Sequence, residues 1–276
     1  MKNQFNSETK KVDPALYSKD YFACHCRGQD KIGAIQSGEL HEVFERAVKA
    51  AQLTGGESVL DYGCGRGELV FYCAKMNCEI TGIDCSRDAI EIAQKTVSVL
   101  PEDIRRKIEL KIMSIEDIRC EKLYDVIFMI DVIEHLHDWE LDILMPKMKQ
   151  MLKPNGRLIL QTPNLIYERY LYPAKRVFEF PFTLLKELSR LIRCTGKRKT
   201  VREFFTKLFK FQFHDDPVYI EVHVNVQTPA ILRLKLAKYG FKSSMECVDH
   251  SKNLLNFLFK RWAGRTIDAV AKVIDV

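Results

Sequence analysis

Apolar residues recur at helical spacing at Leu40, Val43, Phe44, Ala47, Val48 and Ala51, and this pattern predicts an amphipathic helix that Gly55-Gly56 brings to an end. Ser58 to Tyr62 then reads as a short strand, Gly63-Cys64-Gly65-Arg66-Gly67 as a tight turn, and Glu68 to Ala74 as helical. Glu79 to Asp84 is a second strand, followed by Ser86 in position to cap a helix that carries Ala89, Ile90 and Ala93. Ile108 to Met113 is a third strand. Tyr124 to Ile130 is a fourth, nearly all apolar, as a strand covered on both faces should be. A helix over Leu141 to Leu152 leads through the turn Lys153-Pro154-Asn155-Gly156 into a fifth strand, Arg157 to Gln161.

Strand and helix therefore alternate from about residue 58 to 161, which predicts a parallel sheet with helices on both faces and right-handed crossovers. Residues 165 to 220 interrupt the pattern. Leu184, Leu185, Leu188, Leu191 and Ile192 form one amphipathic stripe, and Val201, Phe204, Phe205, Leu208 and Phe209 another, with Gly196 and its basic neighbours between them. The first 38 residues show little periodicity. Pro229 suits a first helical turn, and the helix runs through Ile231 to Tyr239 and stops at Gly240. Phe241 to Val248 and Thr266 to Ile274 complete the pattern as late strands, although the second also tolerates a helical reading.

Composition narrows the class. At 276 residues, with 46% hydrophobic and 29% charged residues, the chain has ordinary globular values and room for one large α/β domain with an addition, or for two small domains. No apolar run approaches the roughly 20 residues that cross a bilayer. Met1 to Lys11 is polar, without the apolar core of a signal peptide, so a cytoplasmic location is expected. Nine cysteines, an odd number in a chain that needs no staples, are expected as free thiols. Cys24-His25-Cys26 lacks the second ligand pair of a zinc site. The net charge of +6 is uneven. Between Arg169 and Lys210 stand twelve Lys and Arg against three Glu, +9 in all, which leaves −3 for the remainder. The same stretch holds Tyr170, Tyr172, Phe178, Phe180, Phe182, Phe204, Phe205 and Phe209.

The glycine-rich turn lies at the carboxyl end of the first strand, where ligands bind in folds of this kind. Glycine admits tight conformations and close approach, and the following helix offers free N–H groups. Asp84, at the end of the second strand, can accept hydrogen bonds from both hydroxyls of a ribose. Dinucleotide sites share such an acid. Here, however, the turn reads G-x-G-x-G, not G-x-G-x-x-G, and Asp61 directly before it would oppose a diphosphate and suit an amino group.

The complete pattern Asp61-x-Gly63-x-Gly65-x-Gly67 resembles the cofactor loop of the class I S-adenosylmethionine-dependent methyltransferases. The likeness covers about residues 40 to 162, and more loosely 223 to 276, and looks most like the branch of ubiquinone-biosynthesis O-methyltransferases and related small-molecule enzymes. It implies an α/β, Rossmann-like, doubly wound seven-stranded sheet, mainly parallel, with an antiparallel last strand and a helical cap insertion. The expected organisation is a leader or lid over 1–39, a cofactor-binding core over 40–162, a basic helical cap over 163–222 and the rest of the core sheet over 223–276. The resemblance implies S-adenosyl-L-methionine as cofactor. It assigns Asp61, Gly63, Cys64, Gly65 and Gly67 to its loop, Asp84 and Cys85 to the ribose end, Ser114, Ile115 and Glu116 to the adenine side, Asp131 to the end of the fourth strand, and Tyr21 to a lid. The third-strand loop departs from the family, with Met113-Ser114 in place of the common glycine-Asp pair.

Methyl transfer is an in-line displacement in which the protein orients the acceptor and often removes a proton. His135, beside Glu134 after the fourth strand, is the leading candidate base, expected to titrate near the ordinary histidine value; a bracing role for the same ring is the alternative. His223 is the second candidate, and His137 is expected to face elsewhere. Glu134, His135 and His223 are also a candidate divalent-metal set, but the fuller Glu-x-x-Glu-His-His pattern is broken by Asp131 and Leu136, and metal is not favoured. The expected acceptor is a small hydroxylated metabolite. A small-molecule amine, an RNA and a non-catalytic cofactor-binding role are the alternatives. The basic segment 169–210 reads as a solvent face over an anionic substrate, as an interfacial element on anionic lipid, or as an RNA contact.

Overall fold

The computed structural model describes residues 10–24, 40–192, 205, 206, 208, 209, 217–248 and 264–274. Its elements in chain order are α1 (Lys19–Cys24), α2 (Glu42–Ala51), β1 (Ser58–Tyr62), α3 (Glu68–Lys75), β2 (Glu79–Asp84), α4 (Arg87–Val97), α5 (Glu102–Arg105) and β3 (Ile108–Ile112). There follow β4 (Tyr124–Ile130), α6 (Asp138–Met151), β5 (Leu152–Pro163), α7 (Tyr172–Ile192), α8 (Pro217–Val222), α9 (Pro229–Lys238), β6 (Phe241–Val248) and β7 (Thr266–Val273).

The strands form one seven-stranded sheet in the order β3-β2-β1-β4-β5-β7-β6. β1 to β5 pair in parallel, and β7 runs antiparallel to both its neighbours. This is the expected doubly wound, Rossmann-like architecture with a reversed last strand. One apolar layer, with Leu60, Ile127, Met129, Leu144 and Met148, lies on the α6 and α9 side. The other, with Val59, Val70, Ile80, Val126 and Phe128, lies beneath α2, α3 and α4. Successive residues of β1 and β4 thus feed opposite cores, which is why these strands are apolar almost throughout.

Local chemistry sets most boundaries. Ser86 accepts the Ala89 N–H at 3.1 Å, as expected of its cap position. Thr228 accepts the Ile231 N–H at 3.2 Å, and Pro229 opens α9. Three details differ from the sequence reading. The first of these is that α2 ends at Ala51, ahead of Gly55-Gly56, because Gln52 takes the left-handed conformation (φ 50°) and caps the helix itself. The second is that β5 already begins at Leu152. Its register jumps from Tyr124↔Leu152 to Val126↔Arg157, so the expected turn is a bulge inside the strand, with Asn155 at φ 63°. The third is that the leader holds α1 and a 3-10 turn over Pro14–Leu16, although it shows little periodicity.

The insertion after β5 enters through a π turn, Tyr167–Leu171, and continues as the 21-residue α7, which absorbs the expected stripe at Leu184 to Ile192 and begins well before it. The second expected stripe, Val201 to Phe209, lies mostly outside the described residues, as do Gly196, His25, Cys26 and Cys194. The described cysteines are free thiols. Among the described residues no helix is long and apolar enough to cross a membrane.

Candidate active site

The sheet order changes direction between β1 and β4: β1 leads outward to β2 and β3, β4 to β5. The crevice beyond the carboxyl ends of such a pair is where an open α/β sheet takes its ligand. A cleft lies there, walled by the turn after β1, the ends of β2 and β4, the leader and α8.

The turn is built by its glycines and its hold on β2. The N–H groups of Gly63 and Cys64 both donate to the Ile83 carbonyl, at 2.8 and 3.0 Å. Gly67 stands at φ 80°, and a Cβ there would lie 3.0 Å from the Ala93 Cα, so no other residue lets α3 and α4 approach this closely. Gly65 faces the cleft, and a Cβ there would meet Phe22 at 3.6 Å. Cys64 is buried and its thiol pKa is pushed well up by burial, which makes it a packing residue of the turn.

Three acids stand around this turn. Asp61 is 3% exposed, and burial, reinforced by Glu68 and Asp84, pushes its carboxyl up to about 8. Burial also raises the Asp84 carboxyl, against the backbone hydrogen bonds that favour its charge. Asp84 accepts the Gly65 N–H on one oxygen (3.0 Å) and the Ser86 N–H on the other (2.9 Å). The Cys85 N–H and thiol also favour its charged form. Glu68 is tied to the buried Arg66 at 2.5 Å, and Arg66 also donates to the Phe22 carbonyl at 3.2 Å. Cys85 lines the cleft beside Asp84, its thiol pushed up to about 12 by burial.

Arg66 thereby joins the turn to the leader, a link the sequence reading missed. The leader is tied down elsewhere too. Ser86 Oγ donates to the Tyr17 carbonyl at 2.6 Å, and the Lys19 N–H donates to Asp88 at 2.9 Å. Tyr21 lines the cleft. Tyr17, which the sequence did not single out from its neighbours, stands between Tyr21 (5.2 Å between ring centres) and His135 (5.6 Å), edge-on to both. Its phenol is raised far above the ordinary value by burial, so it remains protonated.

The third-strand loop meets the cleft through Met113. Ile115 is buried in the core, Ser114 bonds Asp117 through its hydroxyl at 2.7 Å, and Glu116 pairs with Lys11 at 3.1 Å. None of the three lines the wall. Their side chains are committed to packing and to the surface, which a strand-end position in the sequence does not disclose.

Beyond β4, Asp131 adopts φ 53°, a conformation costly for a side chain with a Cβ, and lines the cleft. A 3-10 turn over Ile133–His135 follows. This turn is laced to the segment after α8: the Asn225 N–H donates to the Glu134 carbonyl (2.9 Å), and its side chain donates to the Leu136 carbonyl (2.8 Å). The lacing brings His223 against His135, with ring centres 4.8 Å apart and planes at 85°. Tyr219 lies tilted against His223, with ring centres 3.6 Å apart and planes at 52°, and donates its hydroxyl to Glu168 at 2.7 Å. Glu134 is fully buried and accepts the Thr162 hydroxyl at 2.9 Å. His137 turns away, its Nε2 meeting the Lys10 carbonyl at 3.0 Å.

His135 Nδ1 lies 3.1 Å from the Val222 carbonyl. A carbonyl only accepts, so Nδ1 carries the proton and Nε2 keeps its lone pair. The ring opens on the cleft but is otherwise enclosed, and burial lowers its pKa to about 4, with Asp131 and the Val222 carbonyl acting weakly the other way. This differs from the ordinary histidine value expected from sequence; the difference comes from desolvation by residues distant along the chain. Glu134, His135 and His223 also offer ligand atoms within 4.8 Å of one another.

A family model described as "Methyltransferase domain" matches residues 35–242. A ubiquinone biosynthesis O-methyltransferase of Bradyrhizobium diazoefficiens is 29% identical over 121 residues, 44% of this chain and 46% of that protein. A probable (S)-tetrahydroprotoberberine N-methyltransferase 2 of Papaver bracteatum is 30% identical over 133 residues, 47% of this chain and 36% of that protein. The chain spans less than half the length of the curated relatives it matches. The structure of the CcbJ methyltransferase from Streptomyces caelestis superposes with a TM-score of 0.58 at 15% identity, covering 95% of this chain and 100% of the other, a likeness of fold.

Proposed function

The chain belongs to the class I S-adenosylmethionine-dependent methyltransferases, and from that premise we propose that it methylates a hydroxyl of a small metabolite held against His135. When bound, S-adenosyl-L-methionine supplies an electrophilic methyl group and a thioether leaving group. The residues fit such a group. The acids Asp61 and Asp84 sit at the turn with carboxyls raised by burial, a setting that a cationic amino group would relieve. Asp84 lines the cleft, where its carboxylate can accept from ribose hydroxyls, and Gly65 lines it without a side chain. Tyr17 and Tyr21 close the leader over this wall and exclude water.

The observation that carries the O-methylation reading is the orientation of His135. Its Nδ1–H is spent on the Val222 carbonyl, so Nε2 faces the reaction as an acceptor for a hydroxyl proton. Tyr219 and His223 form the adjoining wall and position the acceptor beside it. The names of two relatives, one acting on oxygen and one on nitrogen, support both acceptor classes. The geometry of Glu134, His135 and His223 supports a second reading, in which a divalent cation held by these three orients the acceptor oxygen.

An acceptor screen with methyl-labelled cofactor tests the reading, using phenolic and catecholic metabolites, small amines, lipid extract and total RNA in separate reactions. Label in the hydroxylated compounds is expected. Label confined to amines moves the activity to nitrogen, label confined to RNA overturns the small-molecule class, and no transfer to any pool supports a binding role. Chelation by EDTA is expected to leave transfer intact. Loss that magnesium restores favours the cation reading.

A further inference from the structure

Among the described residues α7 makes no extensive contact with the sheet. It has 21 residues, and among the described residues it packs chiefly against the π turn from which it starts. At about 1.5 Å per residue it extends roughly 30 Å. One face is apolar and open to solvent: Phe178 is 68% exposed, Phe182 74%, Leu185 66% and Leu188 40%. At 100° per residue these four fall within an arc of about 120°. Lys175 and Lys186 lie about 20° and 40° beyond the Phe182 margin of that arc, Glu179 follows about 20° further round, and Arg176 falls on the far side. A contiguous face of this kind on a globular protein marks a docking surface.

The charge identifies its occupant. α7 carries Lys175, Arg176, Lys186 and Arg190 against Glu179 and Glu187, a net +2, and the whole segment 169–210 carries +9 in a chain of +6, so the partner is anionic. A second copy of the chain would bring the same positive charge and be repelled. RNA would engage aromatic rings set among charges in a groove. Here leucines share the stripe with phenylalanines, and the lysines stand at its border, where their stems can lie along the apolar boundary with the ammonium groups in headgroups. α7 does not qualify as a membrane span. We propose that α7 lies in the interface of an anionic lipid bilayer, with Phe178, Phe182, Leu185 and Leu188 inserted below the headgroups and Lys175 and Lys186 at their level. The helix is chained to the cleft, since Glu168 in the preceding π turn holds the Tyr219 hydroxyl on the cleft wall. Docking therefore places the acceptor wall next to the lipid surface.

Vesicle flotation of the full chain tests this, with phosphatidylcholine alone and with phosphatidylcholine mixed with phosphatidylglycerol. Flotation is expected with the anionic mixture, weaker with phosphatidylcholine alone, and weakened by added salt. The double variant F178E/F182E changes only exposed side chains. It is expected to lose binding at least about tenfold while keeping the wild-type affinity for S-adenosylhomocysteine, which separates a lost surface from a lost fold or cofactor site. Failure to float with anionic vesicles, or undiminished flotation of the variant, would overturn the proposal. So would binding to an RNA oligonucleotide, or self-association lost in the same variant, without vesicle binding.

Discussion

Affinity for S-adenosylhomocysteine is expected to rise from about pH 6 to about pH 8, and Asp61→Asn is expected to remove both the rise and most of the affinity. The carboxyl of Asp61 is pushed up to about 8 by burial and by the neighbouring Glu68 and Asp84. In the empty protein near neutral pH it therefore holds a proton. A ligand ammonium selects the ionised form, so binding expels that proton, and the expulsion becomes easier as the pH approaches 8. The asparagine variant keeps the shape and loses the charge, a hydrogen bond to a charged group worth about 1.5–3 kcal/mol, or roughly ten- to a hundredfold in affinity. Stability moves the other way. A carboxyl raised above its unfolded value contributes stability that is complete below about pH 3.9 and is lost as the pH rises through about 8, because the folded chain binds the proton the unfolded chain has released. The empty variant should therefore be at least as stable as wild type at pH 8. Calorimetry in two buffers of different ionisation enthalpy reads the released proton directly, and urea unfolding reads the stability. An affinity flat across this range would place the charge of Asp61 outside the ligand's reach.

The second large effect concerns the chemical step. His135→Gln is expected to lower the single-turnover rate by about 10²–10⁴-fold while leaving affinity for S-adenosylhomocysteine unchanged. Because burial lowers the imidazole to about 4, it is neutral throughout the neutral range, and the acid limb of the wild-type rate should fall near 4 instead of near the ordinary histidine value. The limb should be absent in the variant. His223→Gln is the matched control: its ring adjoins Tyr219 on the acceptor wall, so the expected change is in acceptor KM more than in the chemical step. A full single-turnover rate in His135→Gln would make this ring a brace for the Val222 carbonyl and shift the role of base to His223.

The parts of this site that the sequence discloses are those set by local chemistry. β1 and β2 end where Gly63 and Asp84 stand, because a strand stops at a glycine turn and an acid at a strand end is visible in the pattern. The cap at Ser86 is equally local. What the sequence withholds is set across the sheet. Tyr17 gains its place only because Ser86 holds its carbonyl and His135 lies against its ring. Arg66 stands inside the glycine turn, and only the fold brings Glu68 and the Phe22 carbonyl onto its guanidinium. Ile115 sits at a strand end, yet the core takes its side chain. The pKa of His135 is a property of the enclosure, which no spacing encodes. α7 was legible as an amphipathic stripe, but not that its apolar face would stay open.

Equilibrium binding of S-adenosylmethionine, S-adenosylhomocysteine and NAD to the wild-type chain and to Asp84→Ala decides whether this cleft is the cofactor site. One site that takes either sulfur ligand and not NAD is expected, with a loss of roughly 1–3 kcal/mol in the variant, which forfeits the ribose contacts and the anchor for the Gly65 N–H together. Binding of NAD without the sulfur ligands, or an affinity unchanged by Asp84→Ala, would contradict it.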